Sequence, residues 1–167
     1  DAVASGIPYW GVCLGAQLLA AATGGTCIPG HSPEVGHPTL TLTDAGRTDP
    51  VIAPWAATTS PTHQPTVMSW HSDTFTLPPD AQLLARSDHY PQAFRIGPHA
   101  YGMQFHLEVT ANLAGHWLHD HSYRTAAEQA LGTQGINPFL TTHAQQAPAL
   151  EQQAHTLMES WLTAIPC

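Results

Sequence analysis

The stretch YWGVCLGAQLLAAATGG, Tyr9 to Gly25, decides the fold. Ile7 to Val12 is apolar without alternation, which is how a strand covered on both faces reads. Leu14 to Thr23, with Leu14, Leu18, Leu19 and four alanines, predicts a short helix that Gly24 and Gly25 stop. One cysteine stands at the junction, in the pattern Gly11-Val12-Cys13-Leu14-Gly15, or G-x-C-x-G. In the serine form of this pattern the nucleophile sits on a strained strand-to-helix turn. Such a turn needs small residues two positions either side, and Gly11 and Gly15 meet that need. Amides at a helix start, together with a nearby imidazolium, favour a thiolate over a thiol. The amide of the residue after the nucleophile, Leu14, is placed to donate to an oxyanion. A buried cysteine in a glycine-rich turn is the bland alternative.

Outward from this unit, the composition narrows the classes. The chain has 167 residues, 43% of them hydrophobic, enough for one domain with a real core. Only 10% are charged; the four basic residues are Arg47, Arg86, Arg95 and Arg124, and the net charge is −8. That balance argues against a nucleic-acid partner. No apolar run is long enough for a bilayer span, and no charged start plus apolar core marks a signal peptide, so a membrane is not expected. Cys13, Cys27 and Cys167 are odd in number and far apart, which argues against a disulfide framework and for a reducing, cytoplasmic setting. Cys27 and Cys167 read as bystanders.

Further along, Thr39–Thr43 alternates as a half-buried strand, and Ala45–Pro65 is turn-rich and reads as loop. Thr66–Trp70, Gln82–Ala85, Ala93–Ile96 and Ala100–Phe105 are strand candidates, with Pro98 in the turn between the last two. After Thr110 the period changes from 2 to about 3.6. Thr110 caps a predicted helix through Asp120, and Ser122 caps another ending near Gly132. Leu150, Ala154, Leu157, Met158, Trp161, Leu162 and Ile165 form the apolar stripe of a last helix, with Pro148 near its start. A strand-to-helix unit followed by strands and then helices predicts α/β layers.

A cysteine nucleophile needs a base, and among twelve histidines position must choose. YGMQFHLEVT, Tyr101 to Thr110, puts His106 at a strand end with Glu108 two residues on. Residues i and i+2 of an extended chain point the same way, so the carboxylate can steady the imidazole as the acid of a triad does. A surface H-x-E is the alternative reading. Gln17, four residues after Cys13, shares its helical face. His116 and His119 in HWLHDH share a face too, but no further ligand set accompanies them, so neither metal nor cofactor is expected.

Together these residues resemble the class I, triad-type glutamine amidotransferases. GVCLGAQLLA is similar to their nucleophile elbow and YGMQFHLEVT to their His-x-Glu segment. EVGHPTLTLTDAGRTDP (Glu34 to Pro50) and MSWHSDTFTLP (Met68 to Pro78) resemble connecting motifs of the subgroup similar to the amidotransferase domain of GMP synthase. The resemblance implies a flavodoxin-like layered α/β sandwich with a mostly parallel central sheet, residues 1–167 forming a single domain. It implies Cys13 as nucleophile, His106 as acid–base and Glu108 as its orienter. Leu14 would give an oxyanion amide and Gln17 would help hold glutamine. Trp70, Ser72 and Asp73, around His71, match a loop whose backbone holds the substrate's amino-acid end. Ser72 stands where many relatives carry glycine, and Leu107 where proline is common. The implied substrate is glutamine or a γ-glutamyl amide; the implied products are glutamate and ammonia for a synthase partner. A γ-glutamyl amide hydrolase and a non-catalytic binding module are the alternatives. Family members carry several strands and helices before the elbow, including a glycine-rich loop with a second oxyanion donor. The expectation is therefore a fragment, a domain completed by a second chain, or an inactive variant.

Overall fold

The computed structural model describes residues 2–59 and 61–165; Cys167 lies outside them. Strand β1 (Tyr9–Val12) leads through Cys13 into helix α1 (Leu14–Ala22), as the sequence predicts. Three further strands, β5 (Ala81–Arg86), β6 (Pro91–Ile96) and β7 (Ala100–Met103), fall on predicted segments. With the short β3 (Thr41–Leu42) they form a five-stranded sheet in the order β1-β7-β6-β5-β3.

The sheet is mixed rather than mostly parallel within this chain. Strand β1 runs parallel to β7, while β7·β6, β6·β5 and β5·β3 are antiparallel. The cause is connection length. Strands β5, β6 and β7 are joined by short turns at 87–90 and 97–99, and short turns permit only antiparallel neighbours. Strand β1 reaches β7 by a long crossover, which permits a parallel pair. Among the described residues β1 pairs on one edge only. An apolar groove lined by Trp10, Val12, Met103, Phe105, Leu157 and Met158 lies between the β1–β7 pair and the last helix.

Alternation along the strands divides the core in two. Phe94 and Ala100 join Ala16, Leu19 and Ala20 of α1 on one face. Their neighbours Ala93 and Tyr101 join Trp55, Phe105, Leu150 and Leu157 on the other. Helix α1 therefore buries Ala16, Gln17, Leu19 and Ala20, and leaves Leu14 and Leu18 exposed. The leucines that suggested its apolar stripe do not all mark the buried side; three alanine-sized or polar positions do.

Two elements occupy the segment that reads as loop. Helix α2 (Asp44–Thr48) starts where Thr43 accepts a hydrogen bond from the Gly46 amide. Helix α3 (Ile52–Thr59) starts where Asp49 accepts from the amides of Val51 and Ile52. Ile52, Trp55 and Ala56 then repeat at i, i+3 and i+4 into the core. Pro50 and Pro54 disguise this helix, yet one precedes it and the other lies in its first turn, where a missing amide costs little.

A second, two-stranded sheet pairs β2 (Thr26–Gly36) with β4 (Ser69–Thr76) in antiparallel fashion, with an irregularity between Pro29 and Glu34. Strand β2 has no counterpart among the predicted strands, and β4 begins where the predicted one ends. Helix α4 (Ala111–Trp117) has its Thr110 cap as predicted. Helix α5 (His121–Leu131) is capped by Asp120 rather than Ser122, because the carboxylate reaches the amides of Ser122 and Tyr123. The last helix, α6 (Ile136–Ala164), has 29 residues and carries Pro148 in its interior. It begins a full three turns before the predicted start, held by buried Ile136, Phe139 and His143. Leu162 of the predicted stripe is exposed, while Trp161 packs on Trp10 with ring centroids 5.3 Å apart.

Candidate active site

Cys13 sits at the bend between β1 and α1 with φ 49°, ψ −103°. A positive φ on a residue with a side chain is strained, and such outliers gather where a group must be displayed. Two contacts hold the bend. The Cys13 amide donates to the Met103 carbonyl at 2.7 Å, tying it to the end of β7. Gly11 approaches Gly15 so closely that a Cβ at residue 11 would lie 2.6 Å from the Gly15 carbonyl carbon and oxygen. Gly15 itself has room: a Cβ there would meet only the Tyr9 hydroxyl, at 3.7 Å. The elbow therefore requires a small residue before the cysteine and not after it. The first intrahelical bond is from the Gln17 amide to the Cys13 carbonyl, so the Leu14 amide has no partner within the helix.

His106 reaches the bend from three residues beyond β7. Its amide and carbonyl bridge Met68, at 2.7 and 3.1 Å, which clamps the segment to the start of β4. Its Nδ1 lies 2.6 Å from Glu108 Oε1, and the ring packs edge-on against Trp117. With Nδ1 committed to Glu108, Nε2 is the nitrogen left to interact with Cys13. Burial alone would lower the His106 pKa; the contacts with Cys13 and Glu108 outweigh it and push it up to about 9. The ring is thus held as imidazolium at neutral pH. Burial works against the Glu108 charge too, but the hydrogen bond and charge of His106 and the Leu107 amide hold it below the usual carboxylate range.

Gln17 is buried, and its amide is engaged within the protein. Its Nε2 donates to the Asp73 carbonyl at 3.0 Å and to Gln104 Oε1 at 3.2 Å. Trp70, Ser72 and Asp73 lie on strand β4 rather than in a loop. The side chain of Trp70 is buried against Trp117, Tyr123 and Phe139 and donates to the Tyr123 carbonyl, so it serves packing. Ser72 and Asp73 are exposed, opposite the irregularity in β2. Between them and the core, His71 bonds the Asp73 carbonyl through Nδ1 and the Glu34 carboxylate through Nε2, at 3.0 and 3.2 Å. Ser87 and Gln92 also donate to Glu34. Burial opposes that charge, but the bonds from His71 and Ser87 outweigh it and depress the Glu34 pKa. This buried cluster fixes the backbone of residues 71–73 beside α1.

Two residues at the site were not singled out by sequence. Gln104 is fully buried, with Nε2 3.6 Å from Cys13 Sγ. Alternation in MQFHLE could have found it, since Gln104, His106 and Glu108 share parity. Cys27, read as a bystander, has its sulfur 3.6 Å from Gln17 Oε1; nothing in its local sequence signals this.

The family profile of class-I glutamine amidotransferases matches residues 1–125. The chain belongs to that family. A glutamine amidotransferase-like protein of Salmonella typhimurium is 38% identical over 119 residues, 71% of this chain and 47% of its own length. The GMP synthase of Hamiltonella defensa is 33% identical over 118 residues, 68% of this chain and 22% of that protein. Among solved structures, a glutamine amidotransferase of Thermotoga maritima is similar with TM-score 0.76 and 26% identity, covering 96% of this chain and 65% of that one. One from Methylobacillus flagellatus has TM-score 0.80 and 25% identity, covering 99% and 66%. The fold is thus that of the flavodoxin-like amidotransferases. This amidotransferase-family chain spans about half the length of the first curated relative and about a fifth of the GMP synthase.

Proposed function

We propose that the chain carries the cysteine centre of a glutaminase, hydrolysing the side-chain amide of glutamine, or of a γ-glutamyl amide, to glutamate and ammonia or an amine. The observation that carries this reading is the Cys13 bend beside His106, whose Nδ1 lies 2.6 Å from Glu108 Oε1. Cys13 Sγ attacks the carboxamide carbon while the thiol proton resides on His106. The oxyanion forms beside the Leu14 amide, which has no partner within α1. The C–N bond breaks, His106 gives its proton to the leaving amine, and a γ-glutamyl thioester remains on Cys13. Water then attacks the thioester, losing its proton to His106, and glutamate leaves as the thiol is restored. Glu108 keeps the ring in one orientation and stabilises its charge throughout. The amino-acid end of the substrate lies along the backbone of Ser72 and Asp73, next to Gln17.

The ammonia goes to a synthase, in line with the likeness to GMP synthases. The whole assembly operates in the cytoplasm without metal or cofactor, and residues 1–167 act as one domain.

Exposure to a chloroketone analogue of glutamine, followed by peptide mapping, tests the centre: the adduct is expected on Cys13. An adduct on Cys27 or Cys167 with Cys13 untouched overturns the reading. Ammonia release from glutamine, measured for the chain alone and with a candidate synthase chain, is expected to vanish on Cys13→Ser.

A further inference from the structure

We propose that Gln104 is a positioning residue for Cys13: a relay of side-chain amides, given its direction by the Asp73 carbonyl, aims a Gln104 N–H at the sulfur. The proposal rests on reading Cys13 as the nucleophile.

The direction follows from what each group can donate. The Asp73 carbonyl only accepts. The Gln17 atom facing it at 3.0 Å must therefore be Nε2, with Oε1 turned the other way. There, 3.6 Å off, the Cys27 thiol donates to it. The second Gln17 N–H points at Gln104, so the Gln104 atom at 3.2 Å must be Oε1. That leaves Gln104 Nε2 on the far side, 3.6 Å from Cys13 Sγ. Reversing Gln104 would set two N–H groups against each other; reversing Gln17 would set two oxygens against each other. Gln104 is 0% and Gln17 6% exposed, so water would not compensate either mistake, and a buried unpaired amide is costly.

The sulfur is therefore held from two sides. His106, backed by Glu108, faces it from the segment beyond β7; Gln104 faces it from the same segment, two residues earlier. Asp73, the other carboxylate nearby, acts on Cys27. An N–H on the sulfur favours the anion and restricts the side chain to one orientation. It also links Asp73, where the amino-acid end of the substrate would lie, to the reacting atom without direct contact.

The test is the rate at which chloroacetamide labels Cys13, with adducts mapped by peptide mass so that other thiols are counted apart. Gln104→Glu keeps the shape but offers oxygen to the sulfur; labelling slows roughly tenfold. Gln104→Met removes donor and acceptor together and slows it less. The decisive pair is at residue 17, whose amide is bonded to Asp73 and Gln104. Gln17→Glu removes the donor that holds Gln104, which turns over and presents its oxygen to Cys13, so labelling again falls roughly tenfold. Gln17→Met removes the group that sets the direction of Gln104 without reversing it, so labelling falls by less, about threefold. Equal rates for the two variants at residue 17, or slower labelling in Gln104→Met than in Gln104→Glu, overturn the relay in favour of simple packing. A readout on the unmutated protein guards against misfolded variants: methylthiolation of Cys13 shifts the side-chain amide resonances of Gln104 and Gln17, and unmoved resonances overturn the proposal. A chain with this labelling pattern but no glutamine hydrolysis would sink the proposed function and leave the relay standing.

Discussion

At residue 11 a single methyl group distinguishes a functioning elbow from a broken one. Its Cβ would fall 2.6 Å from backbone atoms of Gly15, which cannot move without displacing α1. Gly11→Ala is expected to cost about 2 kcal/mol or more in urea unfolding, as overpacking against backbone does. Gly15→Ala should stay within about 1 kcal/mol of the parent, since the site is open and alanine favours the helix. Equal losses would contradict the geometry of the bend. His106 offers a second measurement. Its ring titration, followed by NMR, should have a midpoint near 9. Glu108→Gln should bring it down toward the ordinary histidine value, because the charge at 2.6 Å is lost. A wild-type midpoint at or below 6.5 would remove the imidazolium from the mechanism. The elbow, His106 and Glu108 were legible because local spacing carries them: G-x-C-x-G, and a His-x-Glu pair at i and i+2. Gln104 shares that parity but lacks an ionisable group, so it stands out only once Cys13 and Gln17 are brought beside it.

Among the elements, helix α3 shows how much one cap can carry. Asp49 accepts from the amides of Val51 and Ile52, pairs with Arg95 at 2.9 Å, and meets the Tyr101 hydroxyl. Its side chain is 0% exposed. Asp49→Ala strands all four partners and is expected to cost about 3 kcal/mol. Asp49→Asn keeps the cap and should lose less; equal losses would mean that the ion pair alone matters. The segment reads as loop because Pro50 and Pro54 interrupt it, and because the Asp49 partners, Arg95 and Tyr101, lie on β6 and β7. Strand β2 is hidden for a related reason. With burial on few of its residues, it shows no alternation, and it exists because β4 offers it an edge.

Across the whole molecule, two histidine environments set opposing pH limits. His143 lies fully buried and donates Nε2–H to the Val109 carbonyl, so its Nδ1 accepts from His37 Nε2 at 3.1 Å. Burial, and then the nearness of His143, lower the His37 pKa to about 4. Burial lowers that of His143 as well. A histidine with a depressed folded pKa contributes stability above 6.5 that is lost as pH falls toward 4. His106, raised to about 9, contributes stability below 6.5 that is lost as pH rises through 9. Thermal midpoints should therefore peak near pH 6.5 and decline on both sides. His37→Gln, which keeps a donor for His143 but does not titrate, should flatten the acid limb; an unchanged acid limb would sink this account.

By itself the sequence determined the elbow, the His106–Glu108 pair, the order of most strands and the family's α/β layers, because each is written in near-neighbour spacing. The direction of the sheet pairs, the helix hidden behind two prolines, the Glu34–His71 cluster and the amide relay from Asp73 to Cys13 were decided by the tertiary structure. Their partners lie dozens of residues apart, and a buried donor or acceptor finds its orientation only when packing has chosen what faces it.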